Sequence, residues 1–315
     1  MCATRSQSDA GVGPGALPAC LNCMSVDVEE YFHAEAFQGC LSPADWPRLQ
    51  RRAEPFVERI AELLEEYNSR ATFFVLGMMV AQVAPLLRRL AERGHEIACH
   101  GNGHQHLARL TPQELRDDLR TARRRIEDAV GVRPLGYRAP TFSVTSATAW
   151  ALDVIIADGF EYDASIFPIR HDRYGVPAAP LEPFWAVAPS GARILEFPPL
   201  TLGWRLVRVP VGGGGYLRLV PAGILKRCVA ARQRRGKPAM IYVHPWELDA
   251  DQPRLPVGPL AQWRHRANLH KTASKLTHLL NAHRFDTAQN ILRHVRASDE
   301  LPTFTVARRR ATDES

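Results

Sequence analysis

Short runs rich in β-branched and aromatic residues alternate with amphipathic helical stretches from residue 23 onward, and this alternation most restricts the fold. Strands separated by whole helices pair in parallel, which predicts successive βα units around a central sheet. Residues 23–28 read as a strand, and 55–67, with Phe56, Ile60, Leu63, Leu64 and Tyr67 at helical spacing, as a helix. A strand at 71–76 and a helix at 79–93 follow, the helix stopping at Gly94, before a strand that delivers His100. Thr111-Pro112-Gln113-Glu114 is a helix start, with Thr as N-cap, Pro at the first helical position and Glu to complete a capping box; that helix runs to about Val130. Residues 134–138 read as a strand, Ser146 as the cap of a helix ending near Asp158-Gly159, and 160–163 as another strand. The fold class expected is α/β, with parallel strands arranged as in a barrel whose C-terminal face carries the site.

From Tyr174 the texture changes to frequent prolines and the run Gly212-Gly213-Gly214-Gly215 before Tyr216, read as a subdomain or elaborated loops. No Lys-Ser/Thr follows these glycines, so a tight turn beside a substrate groove is expected over a phosphate cradle. Regular structure resumes with a helix at 221–235, a strand at 239–243 and a helix at 269–282. The organisation expected is a flexible arm over 1–20, one domain over 21–295 whose part from 175 holds the loops and C-terminal elaboration, and a charged tail over 296–315.

With 45% hydrophobic and 23% charged residues the chain reads as globular. No run approaches the ~18 apolar residues of a membrane span, and no secretory signal is evident at the start, so a cytoplasmic location is expected. The +7 charge includes Arg123-Arg124-Arg125, read as a solvated helix face or a contact for an anionic glycan or lipid head group, and Arg308-Arg309-Arg310 in the tail. No aromatic residues interleave with these cations, which excludes a nucleic-acid pattern. The six cysteines are scattered, and Cys20-Leu21-Asn22-Cys23 lacks a second C-x-x-C, so reduced thiols are expected.

Several expected strands end in chemically capable residues: Asp27-Val28-Glu29-Glu30, His100 with His104 four positions on, Arg138 before Ala139-Pro140, Asp163, and His244 before Pro245-Trp246-Glu247. Hydrolysis of an amide or ester needs a cation to polarise the carbonyl, a base for water, and an acid for the leaving group. His100, His104 and Glu29 supply a metal-ligand set, with Glu30 the alternative acid and His106 a competing imidazole. Asp27 is the base, oriented by Arg138, and His244 the acid, oriented by Asp163.

These residues resemble the polysaccharide deacetylases of carbohydrate esterase family 4, the NodB-homology group, in chain order and approximate spacing. Asp27-Val28-Glu29 is similar to the first motif, His100-Gly101-Asn102-Gly103-His104 to the H-[ST]-x-x-H motif, and Arg138-Ala139-Pro140 to the R-x-P motif. Tyr162-Asp163 and Val243-His244-Pro245 resemble the two closing motifs. The stretches 25–33, 166–175, 213–216 and 244–249 resemble a narrower branch, the deacetylase of exosortase-associated exopolysaccharide loci. Here Asp-Val-Glu replaces the Asp-Asp of many relatives, and Gly101 replaces the usual Ser/Thr. The resemblance implies a distorted (β/α) barrel of about seven parallel strands, a divalent cation, Zn²⁺ foremost with Co²⁺ as alternative, and removal of N-acetyl groups from hexosamines of an exopolysaccharide or its precursor. The implied partners are an N-acetylated polysaccharide and a membrane-bound polysaccharide assembly system. Tyr31, Phe142, Trp246, Gly214 and Tyr216 are the expected substrate contacts, through aromatic faces that suit sugar rings. The alternatives are a metal-independent amidohydrolase on a small cyclic amide and a decayed glycan-binding protein.

Overall fold

In a computed structural model, residues 22–37, 39–171, 173–204, 207–298 and 300–306 are described. The N-terminal arm with Cys20, the Arg308-Arg309-Arg310 cluster and Asp172 lie outside them. The strands are β1 Asn22–Val28, β2 Ala71–Val75, β3 Glu96–Cys99, β4 Gly136–Tyr137, β5 Tyr162–Asp163, β6 Phe184–Val187, β7 Arg193–Glu196, β8 Thr201–Trp204, β9 Val207–Pro210, β10 Ala239–Val243, β11 Phe285–Asp286 and β12 Thr303–Thr305. The α-helices are α1 Ala53–Glu66, α2 Val80–Glu92, α3 Pro112–Val130, α4 Trp150–Ala157, α5 Gly214–Leu219, α6 Ala222–Arg234, α7 Pro259–Arg266, α8 Thr272–Ala282 and α9 Ala288–Ser298.

The central sheet runs β10-β1-β2-β3-β4-β5-β7 in parallel pairs, then β6 antiparallel to β7, then β12 parallel to β6. This mostly parallel sheet curls into a distorted barrel, and its closure is irregular. Leu200 N donates to Met240 O (2.8 Å), Tyr242 N donates to Gly212 O (2.7 Å), and Gly213 bridges Tyr242 in parallel, so the stretch after β7 covers the free edge of β10. The glycine run is therefore the barrel's seam, where a turn beside a groove was expected. A Cβ on Gly213 would lie 2.3 Å from Tyr242 O, so only glycine permits the approach.

Alternation along β1 separates two cores. Met24, Val26 and Val28 pack outward with Val57, Ile60 and Leu64 of α1 and Leu86, Leu87 and Leu90 of α2. Cys23 faces inward with Phe74, Ala98 and Met240, and the same period carries Ser25 and Asp27 up the barrel interior. Thr111 and Glu114 form the expected reciprocal capping box. The turn before α4 is held by Thr148, which bonds Ser143 O and Thr145 N, instead of by Ser146. The expected tail contains structure: α9 extends to Ser298, and β12 pairs with β6. The helical Arg cluster divides, with Arg123 over the Phe160 ring at 4.1 Å and paired with Asp158, and Arg125 bonded to Asn102. Among the described residues, Cys40, Cys99 and Cys228 are free thiols. Among the described residues no helix is long and apolar enough to cross a membrane.

Candidate active site

The C-terminal ends of β1, β3, β4 and β10 converge on one buried cluster. Glu29, just past β1, presents Oε1 to His100 Nε2 at 2.8 Å and to His104 Nε2 at 2.9 Å. All three side chains are buried, and their ligand atoms lie within 4.8 Å of one another. Burial opposes charge on Glu29, but His104 and His100 outweigh it and hold the carboxyl well below its ordinary range. His100 Nδ1 donates to the carbonyl of Arg138 at 2.7 Å, which turns Nε2 toward Glu29. Two imidazoles and one carboxylate, with the tautomer fixed from behind, are the donor set of an open divalent-metal site.

Glu30 is engaged elsewhere. Its Oε2 accepts Arg52 N (2.8 Å) and Ala53 N (3.2 Å) at the start of α1, and its Oε1 accepts Gln82. His106 Nε2 meets Arg173 O, so it stands apart from the cluster.

Asp27 faces the barrel interior beside this set. Arg138 Nη1 donates to Asp27 Oδ1 at 2.5 Å and to Ser25 Oγ at 3.0 Å, while its Nε reaches Ala164 O. The guanidinium is fully buried and lies over the Phe74 ring at 4.1 Å. His104, Thr141 and Phe142 all adopt left-handed backbone angles, so strain collects around the same cluster.

His244, after β10, places Nε2 3.8 Å from Asp27 Oδ2. Its Nδ1 is bonded to Glu247 Oε1 at 2.7 Å, not to Asp163 as the sequence suggested. Asp163 instead accepts from Ser165 Oγ and faces Glu196, and both acids are fully buried. Burial raises Asp163 to about 6 and Glu196 well above its ordinary value, as expected of two carboxyls that cannot both ionise in one dry space. Burial would lower the His244 pKa, but the Glu247 hydrogen bond and the charges of Glu29, Glu247 and Asp27 raise it to about 9.

The expected sugar platforms are largely enclosed. Trp246 is sandwiched between His244 (centroids 5.0 Å, 21°) and His265 (4.7 Å, 20°), which leaves neither ring face for a sugar. Tyr31 is buried with Phe32 and Phe37. Phe142 packs on Phe167 and Tyr242, and the buried Gly214 lies against the Tyr242 hydroxyl. Tyr216 is half-buried and hydrogen-bonds Tyr174.

Three residues missed in the sequence hold this geometry. Glu247 lies three positions after His244 on a single turn started by Pro245, a local pattern that signals a capping box. Arg218 and Asp118 come from remote elements and carry no such signal. Arg218 Nε meets Glu247 Oε2 at 2.8 Å. Asp118, on α3, accepts Asn102 N (2.7 Å) and Gly103 N (3.1 Å), fixing the loop between the two histidines. A Cβ on Gly101 would sit 2.9 Å from Asp118 Oδ2, and Gly101 has φ +75°, so the aspartate occupies the space a Ser/Thr side chain would need.

Residues 45–155 match the family model for polysaccharide deacetylase, and residues 164–293 match a domain of unknown function, DUF3473. A peptidoglycan deacetylase from Helicobacter pylori is 28% identical over 125 residues, 40% of this chain and 42% of that protein. A chitooligosaccharide deacetylase from Bradyrhizobium is 39% identical over 82 residues, 26% of this chain and 37% of that protein. The chain thus covers less than half the length of these curated relatives. A candidate polysaccharide deacetylase from Mycobacterium smegmatis superposes with a TM-score of 0.61 at 20% identity, over 96% of this chain and 99% of that one, a likeness of fold. Residues 45–155 are thus similar to polysaccharide deacetylases in sequence, and they are followed by a segment whose family description names no function.

Proposed function

We propose that the protein is a divalent-metal-dependent hydrolase that removes N-acetyl groups from hexosamine residues of an exopolysaccharide or its precursor. The observation that carries this reading is the Asp27 carboxylate held between Arg138 (2.5 Å) and His244 (3.8 Å), beside the Glu29–His100–His104 donor set. The names of the relatives, deacetylases of peptidoglycan and of chitooligosaccharide, supply the substrate class.

Glu29, His100 and His104 would hold the cation, Zn²⁺ foremost, which when bound supplies polarisation of the acetamide carbonyl and a more acidic water. Asp27 takes a proton from the attacking water, and Arg138 keeps the carboxylate oriented for that task. His244, kept protonated by its acidic neighbours, gives a proton to the departing nitrogen as the C–N bond breaks. Acetate and a free amine result. A cytoplasmic site of action beside a membrane-bound assembly system belongs to the same proposal.

Acetate release from N-acetylglucosamine oligomers and from exopolysaccharide, before and after chelation and with Zn²⁺ or Co²⁺ restored, tests the reading. Release that stops on chelation and returns with metal is expected. Release indifferent to chelation overturns the metal requirement, and no release from any acetylated glycan overturns the function.

A further inference from the structure

The 164–293 segment contributes His244 and Glu247, with Arg218 bonded to Glu247 and His265 stacked on Trp246. Pro245 starts a one-turn helix, Pro245–Leu248, that folds Glu247 back over His244. Glu247 Oε1 then accepts both the backbone N–H of His244 (3.1 Å) and its ring Nδ1 (2.7 Å). One oxygen therefore fixes the main chain and the ring of the same residue.

The second oxygen, Oε2, accepts Arg218 Nε at 2.8 Å. Arg218 is itself anchored, because Nη1 donates to the carbonyls of His265 (2.7 Å) and Ala267 (2.9 Å). Glu247 is 0% exposed, so no water balances its charge, and Arg218 and His244 are its counterparts. Trp246 closes the imidazole face. With Nδ1 committed to Glu247, Nε2 is the nitrogen left toward Asp27.

We infer that Glu247, clamped by Arg218, is the positioning residue that fixes the tautomer and aim of His244, so that the segment of unnamed function supplies the proton-donating half of the site. What His244 does rests on the deacetylase reading; how it is held does not. The charged groups acting on His244 are Asp27 and Glu29 at the end of β1 and Glu247 after β10; Arg218 on α5 reaches it through Glu247, and His265 on α7 lies across Trp246 from it. Asp163 on β5 is bonded to Ser165 and faces Glu196.

The test compares the Zn²⁺-loaded parent with Glu247→Gln, Arg218→Lys and Asp163→Asn. Acetate release from an N-acetylglucosamine tetramer is followed from pH 5 to 10. Glu247→Gln is expected to lower kcat about 10²-fold with KM nearly unchanged, and to move the alkaline limb of the kcat profile to lower pH. Arg218→Lys should move both in the same direction by less, and it decides the matter should Glu247→Gln fail to fold. Asp163→Asn should leave the alkaline limb in place. A Glu247→Gln enzyme that melts earlier but keeps its kcat and alkaline limb overturns the inference, as does an Asp163→Asn enzyme whose limb moves instead.

Imidazole ¹⁵N NMR provides a readout free of activity. The His244 Nδ1–H resonance should persist in Asp163→Asn and be lost or strongly shifted in Glu247→Gln; an unchanged resonance in Glu247→Gln sinks the inference. If the parent releases no acetate, the deacetylase reading fails and this arm alone still judges the clamp.

Discussion

Arg138 Nη1 stands 2.5 Å from Asp27 Oδ1 with both groups out of contact with solvent, so each charge is the other's principal counterion. The pair joins the end of β4 to the interior face of β1. It fixes where a carboxylate base can sit relative to Glu29, two residues further along.

Replacing the arginine should therefore affect two measurements at once. Arg138→Met leaves the buried Asp27 carboxylate with only the more distant His244 as counterion, and a loss of about 3 kcal/mol in urea unfolding is expected. Acetate release should fall by about 10²-fold or more, because the base loses its orientation.

Metal binding is expected to stabilise the fold through Glu29, His100 and His104. At a free Zn²⁺ concentration a hundredfold above Kd, the gain is about 2.7 kcal/mol. Calorimetric unfolding should show a higher Tm with Zn²⁺ than after chelation for the parent, and no difference for a His100→Ala/His104→Ala variant. Equal Tm values in the parent would refute the site.

Asp118 touches neither histidine, yet it holds the loop between them by two backbone bonds. Asp118→Ala strands two amides, and a cost of about 1–3 kcal/mol follows. Zn²⁺ affinity measured by titration calorimetry should drop about 10- to 100-fold, the usual effect of losing support behind a ligand.

The pH dependence of stability has a defined sign. His244 is raised from 6.5 to about 9, so its contribution is fully present below pH 6.5 and is lost as pH rises through about 9. Glu247 is lowered from 4.5, so its contribution is present above pH 4.5 and is lost as pH falls below that value. Unfolding midpoints recorded across this range should decline at both ends. Glu247→Gln should flatten both declines.

The barrel seam gives a test independent of chemistry. Gly213→Ala places a methyl 2.3 Å from Tyr242 O and should cost more than about 3 kcal/mol or prevent folding. Gly215→Ala, whose nearest atom is Arg218 Nη2 at 3.8 Å, should stay within about 1 kcal/mol of the parent in the same denaturation measurement.

Helices α1, α2, α3 and α6 lie within a few residues of where apolar spacing and caps put them, because a 3.6-residue period and the Thr111/Glu114 box are local properties. The strand ends were equally legible, which is why Asp27, Glu29, His100, Arg138 and His244 stood out. The Pro-rich stretch was not: β6 to β9 are short hairpin partners, and β12 finds its place on β6 across more than a hundred residues. Periodicity cannot report so distant a partner.

By itself, the sequence determined the βα order, the helix starts and the set of chemically capable residues, since each follows from neighbours a few positions apart. Only the tertiary structure decided which of them meet. It assigned Glu29 over Glu30 to the histidines, because Glu30 is spent on the N-terminus of α1. It gave His244 to Glu247 and Arg218, turned Asp163 toward Glu196, and closed both faces of Trp246. The physical reason is that a buried charge is satisfied by whichever partner folding brings within hydrogen-bond reach, and that reach is set by packing across the barrel.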